Sequence, residues 1–467
     1  MMQRRDFLRS ALIGSVLYGA GAVPRLGSVA QAAAFPGLGR RLLVNVQLGG
    51  GPDFRYLFPP AFDSDTLSFG YRYWQSMAAA HAIGDSAAEL EARWNDAYTP
   101  LDFNGTSFGI LDGCGWLQRM WDRGKVAVVC NVLSATSRNH AHGLIVLEHG
   151  DRGLGPNDQE GSGWGGRLGA AAGGRTLSLT QIPSPFCYGP KANDPGGHDN
   201  ANMIAARDTR ELTLFRPDQA ANGNEGRIAR TMKSYYAAKR GEMPSDSTFR
   251  RFVDLEQTLR ELGEPIDERL ASVPVPPELA ALYEGDDATL AAPDFGLQIR
   301  NLYDALACSD ILQPSVVSLG YGGFDTHKAQ RADLEPRLVD MFGDGMAFDT
   351  LYGLLPASLL DDMVLVLAGE FGRRIRANGD GGSDHGEGNI VLIVGEGVRG
   401  GVYGSMFPEA ELDRLGDDSP QILGQTAIEP LFGTVCDWVQ AGSGDVVFPG
   451  RSTAPVENGV ALGTLFT

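Results

Sequence analysis

The sequence has few cysteines, and none of them form a close pair. The five cysteines are scattered along 467 residues, and an odd number leaves at least one of them without a disulfide partner. Cys130 lies in an apolar segment and Cys436 in a predicted helix, so we expect both to be small buried residues. The spacing leaves a disulfide open but does not indicate the dense disulfide framework of a small secreted domain.

Basic residues and long apolar segments are also scarce. Lys and Arg total 39 against 58 Asp and Glu, which gives a formal net charge of −19. A chain this acidic is a poor candidate for binding nucleic acid or an anionic membrane surface. Beyond the N-terminus no segment is long and apolar enough to span a bilayer, so we expect no stable membrane anchor.

The first 33 residues have the layout of an export signal. Arg4 and Arg5 precede an uncharged segment from Ala11 to Val23, and alanines near position 32 offer a cleavage point. The paired arginines predict the twin-arginine translocation machinery as a partner and a periplasmic or secreted location. Because residues 1–33 carry four arginines and one aspartate, their removal changes the formal charge from −19 to −22.

Short apolar runs alternate with helical patterns along the rest of the chain. The predicted strands are Arg41–Leu48, Val126–Leu133, Ser315–Gly320, Met363–Ala368 and Asn389–Val394. The predicted helices are Leu90–Tyr98, Glu225–Arg240, Ser247–Leu262, Phe295–Cys308, Leu334–Leu354 and Ala427–Val439. This alternation favours an α/β domain over residues 34–467 with a parallel sheet covered on both faces. Charged helices and Pro-rich joints between about 190 and 293 predict a helical insertion.

Acidic and histidine side chains follow several predicted strands, where ligands bind in open α/β sheets. They are Asp53, His140, Asp325 with His327, Glu370 with Arg373, and Asp384 with His385 in the loop before Asn389. Carboxylates with imidazoles are ligands for Zn²⁺, and for Mn²⁺ or Mg²⁺ when oxygen dominates. Two such ions about 4 Å apart stabilise the attacking and leaving oxygens of an in-line displacement. The residue types therefore predict a metal-dependent hydrolase.

Each of these residues also has a purely structural explanation. Asp53 follows a Gly-Gly-Gly-Pro turn, Asp325 precedes a predicted helix that it could cap, and Glu370 with Arg373 could be an ordinary ion pair. Asp384 and His385 lie in a Gly-rich loop. The metal-binding explanation is favoured because four of the seven histidines fall near a predicted strand end. We expect His142, His149 and His198 to be structural or exposed.

An ordered set of short motifs resembles a known family. The motifs are Gly50–Asp53, Arg138–His140, Gly163–Arg167, Gly323–His327, Glu370–Arg373, Ser383–Gly386 and Gly395–Gly404. Together they resemble the domain of unknown function fifteen-oh-one (DUF1501), a family of exported bacterial proteins, over nearly the whole chain after the signal. The resemblance implies the alkaline phosphatase/sulfatase-like superfamily and a three-layer α/β/α sandwich with a mostly parallel sheet.

The resemblance also implies an arrangement of metal ligands. Asp53, Asp384 and His385 would hold one ion beside the nucleophile. Asp325 and His327 would hold a second ion, with Glu370 or His140 as candidates for its third ligand. The expected ion is Zn²⁺, with Mn²⁺, Mg²⁺ and Ca²⁺ as alternatives.

The position that corresponds to the family's nucleophile carries an unexpected residue. Relatives tend to have Arg-Ser-His where this chain has Arg138-Asn139-His140, and a carboxamide cannot act as an alkoxide. Three alternatives stay open: Ser137 or Thr136 serves instead, a hydroxide generated at the metal attacks directly, or hydrolysis has been lost.

The leading hypothesis is a periplasmic metal-dependent hydrolase of phosphate or sulfate esters. Asn139 or Ser137 would occupy the nucleophile position, and Arg138 would pair with an oxygen of the anionic substrate. The main alternative is a non-catalytic binding or assembly protein that retains the fold. A phosphomutase-like transferase also fits the fold, although no residue singles it out.

Overall fold

The computed structural model describes residues 35–134, 137–192, 194–200, 202–211, 224–244, 247–285, 288–408, 411, 413–417, 420–451 and 462–467. The strands in these ranges are β1 Leu42–Leu48, β2 Tyr98–Phe103, β3 Thr106–Leu111, β4 Val126–Leu133, β5 Arg175–Ser178, β6 Gly189–Lys191, β7 Asp194–Asp199, β8 Met203–Ala205, β9 Pro314–Tyr321, β10 Met363–Ala368, β11 Arg373–Ala377, β12 Ser383–His385, β13 Asn389–Val394, β14 Gly401–Tyr403 and β15 Thr426–Ala427. The predicted signal segment lies outside the described residues.

The helices in these ranges are mostly short. They are α1 Phe54–Leu57, α2 Phe69–Met77, α3 Ala87–Ala97, α4 Gly115–Asp122, α5 His140–His149, α6 Trp164–Ala171, α7 Asn224–Glu242, α8 Thr248–Ala271, α9 Pro277–Ala280, α10 Pro293–Ala307, α11 Ser309–Leu312, α12 Gln330–Phe342, α13 Ala347–Leu354, α14 Ala357–Asp361, α15 Ile428–Val439 and α16 Ser443–Val447. In the described part of the chain, no helix combines the length and the apolar character needed to cross a bilayer.

Nine strands form one mixed sheet in the order β14-β4-β13-β10-β1-β9-β5-β8, with β15 also paired to β4. The central strand β1 is parallel to β10 and β9, so that Val44 lies opposite both Leu365 and Val317. Only β13 runs against its neighbours, because it is antiparallel to both β10 and β4. The prediction of an α/β protein with a mostly parallel sheet is confirmed, and Asn389–Val394 is its antiparallel strand.

Helices cover both faces of the sheet because every central strand is apolar on both sides. Alternate residues of β1 belong to two different cores: Val44 packs in one core with Leu338 of α12, and Leu43 packs in the other with Leu431 of α15. A strand buried on both faces has a continuous apolar sequence rather than an alternating one. This is why the five apolar runs were recognisable as strands.

Two features of the helical pattern differ from the sequence prediction. The single helix predicted over Leu334–Leu354 is two helices, α12 and α13, separated at Gly345, whose φ of +71° suits glycine. The segment expected to be a helical insertion contains the long helices α7 and α8, but it begins with short strands, of which β8 pairs with β5. Its status as a separate insertion stays a prediction.

All five cysteines are buried and free, so the disulfide left open by the spacing does not form. Burial raises the pKa of Cys130 and Cys308 to about 12. Thiols with such high pKa values are poor nucleophiles at neutral pH. The cysteines therefore act as small core residues, as expected for Cys130 and Cys436.

A buried cluster of charged residues connects Thr209 and Arg210 to helix α10. The carboxylate of Asp304 is fully buried and accepts hydrogen bonds from Arg210 at 2.7 Å, Arg300 at 3.0 Å and the Thr209 hydroxyl at 2.9 Å. Arg300 is itself buried, and its charge is compensated by this carboxylate together with Asp208, which lies 2.8 Å from the Arg300 guanidinium.

Asp304→Ala is expected to lower the free energy of unfolding by about 3–5 kcal/mol, because it removes the fully buried carboxylate that Arg300, Arg210 and Thr209 share. Urea denaturation of the wild-type and variant proteins measures this difference. Asp310→Ala is the matched control, since Asp310 is exposed and pairs with Arg269 at 3.0 Å. That variant should stay within about 1 kcal/mol of wild type; equal losses for the two variants would contradict the buried-cluster explanation.

Candidate functional site

The polar residues singled out from the sequence meet at one edge of the sheet. Strands β1, β4, β9 and β10 all end at this edge, and β13 begins there because it is antiparallel. The chain therefore brings His140 after β4, Asp325 after β9 and His385 before β13 to the same place. Residues that follow parallel strands lie at the same edge of a sheet, and residues that precede an antiparallel strand lie at that edge as well.

Asp325 is the centre of the cluster. Its Oδ1 lies 2.9 Å from Nε2 of His385 and 3.2 Å from Nε2 of His327. Its Oδ2 lies 3.3 Å from Nε2 of His140. The Nε2 atoms of His327 and His385 are 2.9 Å apart. Three imidazoles thus point the same ring nitrogen at one carboxylate.

The opposite nitrogen of each imidazole faces a hydrogen-bond acceptor. The acceptors are Glu370 Oε1 at 2.8 Å for His140, Asp384 Oδ1 at 3.2 Å for His327, and the Arg138 carbonyl at 3.0 Å for His385. Carboxylate and carbonyl oxygens only accept hydrogen bonds, so a proton on Nδ1 satisfies each of these contacts, whereas a proton on Nε2 would be donated to Asp325. In a neutral ring protonated on Nδ1, the lone pair lies on Nε2, directed at Asp325.

The charge states at the centre are set by burial and by neighbouring groups. Burial alone would raise the pKa of Asp325, but His385 and Arg373 beside it outweigh burial and lower the pKa to about 2. Burial lowers the pKa of His385 despite the opposing effect of Asp325. At neutral pH, His385 is therefore neutral and Asp325 is ionised.

This donor set fits a divalent cation. A tetrahedral ion with ligand bonds of about 2.0–2.1 Å holds its ligand atoms roughly 3.3 Å from one another. Asp325 Oδ1 lies 2.9 Å from His385 Nε2 and 3.2 Å from His327 Nε2, and Asp325 Oδ2 lies 3.3 Å from His140 Nε2. Ligand atoms that all lie within 4.8 Å of one another come from His140, Asp325 and His385. With the protons on Nδ1, the Nε2 lone pairs and the Asp325 carboxylate face one another, and a cation between them stabilises that arrangement. Imidazole nitrogens with one carboxylate are the ligand type that zinc prefers.

Glu370 and Arg373 together hold the turn at Gly50 and Gly51, and they do not form the ion pair that the sequence left open. The Glu370 carboxylate accepts hydrogen bonds from both glycine N–H groups, at 3.0 and 3.2 Å. Arg373 donates to the carbonyl oxygens of the same two residues and, at 2.7 Å, to Asp325 Oδ1. Gly50 has a φ of +118°, and a Cβ there would overlap the backbone of Asp325.

The C-terminal half of this cluster lies within a recognised family segment. Residues 308–416 match the family described as protein of unknown function (DUF1501). The DUF1501 segment includes Asp325, His327, Glu370 and His385, but it includes neither Asp53 nor His140. No curated protein matches the chain. The comparison supports the DUF1501 resemblance over residues 308–416, and the resemblance of the remaining chain stays a prediction.

Asp53, which the superfamily resemblance implied as a ligand, lies outside the DUF1501 segment and has other partners. Its buried carboxylate accepts hydrogen bonds from the backbone N–H of Tyr56 at 3.2 Å and from Gln330 Nε2 at 2.9 Å. Burial raises the pKa of Asp53. Gln330 in turn accepts a hydrogen bond from Ser383, which precedes Asp384 on β12. Asp53 is therefore connected to β12 through Gln330. The ligand role of Asp53 stays a prediction beside its local role as cap of α1.

Asp384 also has both of its oxygens engaged. Oδ1 accepts hydrogen bonds from Asn378 at 3.1 Å and His327 at 3.2 Å, and Oδ2 accepts one from Arg374 at 3.1 Å. The hydrogen bond from Asn378, with those from its other neighbours, lowers the pKa of Asp384. The contact with His327 lets Asp384 orient that ring, and its role as a metal ligand stays a prediction.

The predicted nucleophile segment forms the start of α5. Asn139 caps this helix, because its Oδ1 accepts a hydrogen bond from the backbone N–H of His142 at 3.1 Å. Ser137 Oγ accepts one from the N–H of Asn139 at 3.2 Å, and the exposed Arg138 donates to Gln421 at 2.5 Å. Thr136 lies outside the described residues. The catalytic roles of Asn139, Ser137 and Arg138 stay predictions.

Sequence reasoning did not find Gln330, which joins Asp53 to Ser383 behind the cluster and belongs to none of the motifs. It did single out Arg373 with Glu370, but it did not predict that Arg373 contacts three separate loops. The remaining predictions about histidines agree with the contacts, since His142 and His149 each contact a backbone carbonyl oxygen.

Proposed function

We propose that the protein is an exported metal-dependent hydrolase of phosphate or sulfate esters, with a three-layer α/β/α fold of the alkaline phosphatase type. The observation that supports the proposal best is the convergence of three Nε2 atoms on the Asp325 carboxylate, while the Nδ1 atom of each ring faces an acceptor oxygen. The twin-arginine pattern of residues 1–33 supports export to the periplasm or beyond.

The proposed ligands are His140, Asp325, His327 and His385. Zn²⁺ suits this set best, with Mn²⁺, Mg²⁺ and Ca²⁺ as alternatives. When bound, the ion supplies Lewis acidity and positive charge toward an ester oxygen. In this proposal, Asp53 and Asp384 do not contact the ion. The alternative, implied by the resemblance, is that they are direct ligands.

Arg138 is the residue best placed to bind the anionic part of the substrate. Its backbone carbonyl contacts His385, so the residue lies beside the cluster, and its exposed guanidinium contacts the neutral amide of Gln421. An arginine whose side chain contacts an amide keeps donors for a phosphate or sulfate oxygen. Ser137 and a water molecule are the two candidate nucleophiles, since a carboxamide is not one.

A second candidate function is binding without turnover, and Asn139 favours it. At the position where relatives tend to have a serine, its side chain caps α5 through His142. A residue engaged in a helix cap contributes to stability without requiring any chemistry. Under this alternative, the cluster holds a metal that has a structural or ligand-binding role.

Metal binding is tested on protein freed of metal with a chelator. We expect the addition of Zn²⁺ at about 100 times its dissociation constant to raise the free energy of unfolding by about 2.7 kcal/mol, because the ion binds only the folded cluster. Urea denaturation with and without the ion measures the shift, and elemental analysis measures the stoichiometry. His142→Gln is the control variant and should show the same shift as wild type, because His142 contacts the Leu154 carbonyl instead of Asp325. Absence of any shift with all four candidate ions would overturn the metal proposal.

Turnover separates the two candidate functions. Purified protein with each ion is supplied with an aryl phosphate and an aryl sulfate, and release of the aryl alcohol is followed. Hydrolysis that depends on the added ion and is lost in His385→Ala supports the hydrolase. Stoichiometric metal binding without release from either ester favours the binding protein.

A further inference from the structure

We infer that Glu370 is a positioning residue that keeps the proton of His140 on Nδ1 and so presents Nε2 to the centre of the cluster. The consequence for metal affinity rests on the proposed function, whereas the hydrogen-bond geometry does not. Sequence reasoning left Glu370 and His140 as rival candidates for one ligand position. In the structure, Glu370 contacts Nδ1 of His140, and Nε2 of the same ring faces Asp325.

Glu370 has no oxygen left for direct ligation. The side chain is only 1% exposed. Its Oε1 accepts hydrogen bonds from the N–H of Gly50 at 3.0 Å and from Nδ1 of His140 at 2.8 Å, and its Oε2 accepts one from the N–H of Gly51 at 3.2 Å. All three partners are donors, which is the environment that a carboxylate requires when it is buried.

The ring of His140 is held in the orientation that this contact needs. It packs at 4.9 Å from the ring of Phe371 and at 4.6 Å from the ring of His385, measured between centroids. Its Nε2 lies 3.3 Å from Asp325 Oδ2. A histidine that ligates a metal through one nitrogen usually donates the proton of the other to a carboxylate, which fixes the tautomer.

The substitution Glu370→Gln tests the inference because it keeps the size of the side chain and replaces one oxygen with a donor. Whichever way the amide is turned, its NH₂ group faces the glycine N–H groups or the Nδ1 proton of His140. The glycine N–H protons are fixed to the backbone, whereas the imidazole proton can move to Nε2. We therefore expect the amide to donate to Nδ1 and His140 to adopt the Nε2-protonated tautomer.

The measurement is a long-range proton–nitrogen correlation spectrum of chelator-treated protein labelled with ¹⁵N at histidine. His140→Gln protein assigns the His140 signals by their disappearance. Wild type should show the Nδ1-protonated tautomer and Glu370→Gln the Nε2-protonated one. Zn²⁺ titration should also show an affinity about 10–100-fold lower in Glu370→Gln, the range typical when a partner of a ligating histidine is lost.

Glu148→Gln is the matched control. Glu148 lies on α5, the helix that begins at His140, and its carboxylate accepts a hydrogen bond from the Ser184 hydroxyl instead of from His140. This variant should leave the tautomer and the Zn²⁺ affinity unchanged. An Nε2-protonated His140 in wild type, or no change of tautomer in Glu370→Gln, would overturn the inference even if the protein binds zinc. The expected tautomers with no metal binding would support the inference and defeat the proposed function. The wild-type spectrum decides the question if Glu370→Gln does not fold.

Discussion

Asp325→Asn is expected to lose its divalent ion and, with it, ester hydrolysis. Asp325 is the residue that all three imidazole Nε2 atoms face, at 2.9–3.3 Å. The amide keeps the shape of the side chain but removes the negative charge and one of the two acceptor oxygens. Because this is a direct ligand, the loss of affinity should exceed the 10–100-fold typical of residues behind the ligands, so we expect at least about 100-fold. Equilibrium dialysis followed by elemental analysis measures it.

Asp53→Asn provides the comparison that decides between two ligand sets. If Asp53 only caps α1 through Tyr56, the variant should retain its metal and lose about 1 kcal/mol or less of unfolding free energy. If Asp53 is a ligand, as the superfamily resemblance implies, its loss of metal should match that of Asp325→Asn. Full metal content in Asp325→Asn would rule out the cluster as the binding site.

Arg373→Ala is expected to lower the free energy of unfolding by about 3–5 kcal/mol and to weaken metal binding as well. The Arg373 side chain is buried, and its guanidinium holds the loops around the cluster together. Its partners are the carbonyl oxygens of Gly50, Gly51, Phe324 and Ser383 and the carboxylate of Asp325. Removing it leaves several buried acceptors and a partly buried carboxylate without a donor, which is costly. Urea denaturation of metal-free protein measures the stability term separately from metal binding.

Arg376→Ala is the control for this prediction because Arg376 lies on the same strand, β11, but is exposed and donates to the Asp417 carbonyl at 2.9 Å. An exposed substitution of this kind should change the free energy of unfolding by no more than about 0.5 kcal/mol. Arg373→Lys should recover only part of the loss, since one ammonium cannot reach all the partners that lie around the edge of the planar guanidinium. Equal stability of the Arg373 and Arg376 variants would refute the role assigned to Arg373.

The positions of the central strands were predictable from the sequence alone. Three predicted strands, Val126–Leu133, Met363–Ala368 and Asn389–Val394, have the bounds found in the structure. Each is a continuous apolar run between turn residues, and such a run is typical of a strand buried on both faces. The polar residues that follow or precede these runs were identifiable for the same reason.

The direction of β13 was not predictable, and the cluster depends on it. An apolar run has the same pattern whichever way the strand runs, so the sequence did not indicate the direction of Asn389–Val394. If it were parallel, the residues before it would lie at the opposite edge, and His385 would be far from Asp325. The antiparallel pairing with β10 and β4 places His385 beside Asp325 at 2.9 Å.

The sequence by itself determined the α/β class, the mostly parallel sheet and the set of polar side chains at the strand ends, because these follow from local patterns of apolarity. The tertiary structure alone decided which of these side chains meet. Asp325 gathers three imidazoles, whereas Asp53 and Glu370 turn to backbone N–H groups. Some of these partners, such as Gly50 and Glu370, are hundreds of residues apart in the chain. The residues next to a carboxylate in the sequence therefore do not indicate which hydrogen-bond donors lie close to it in space.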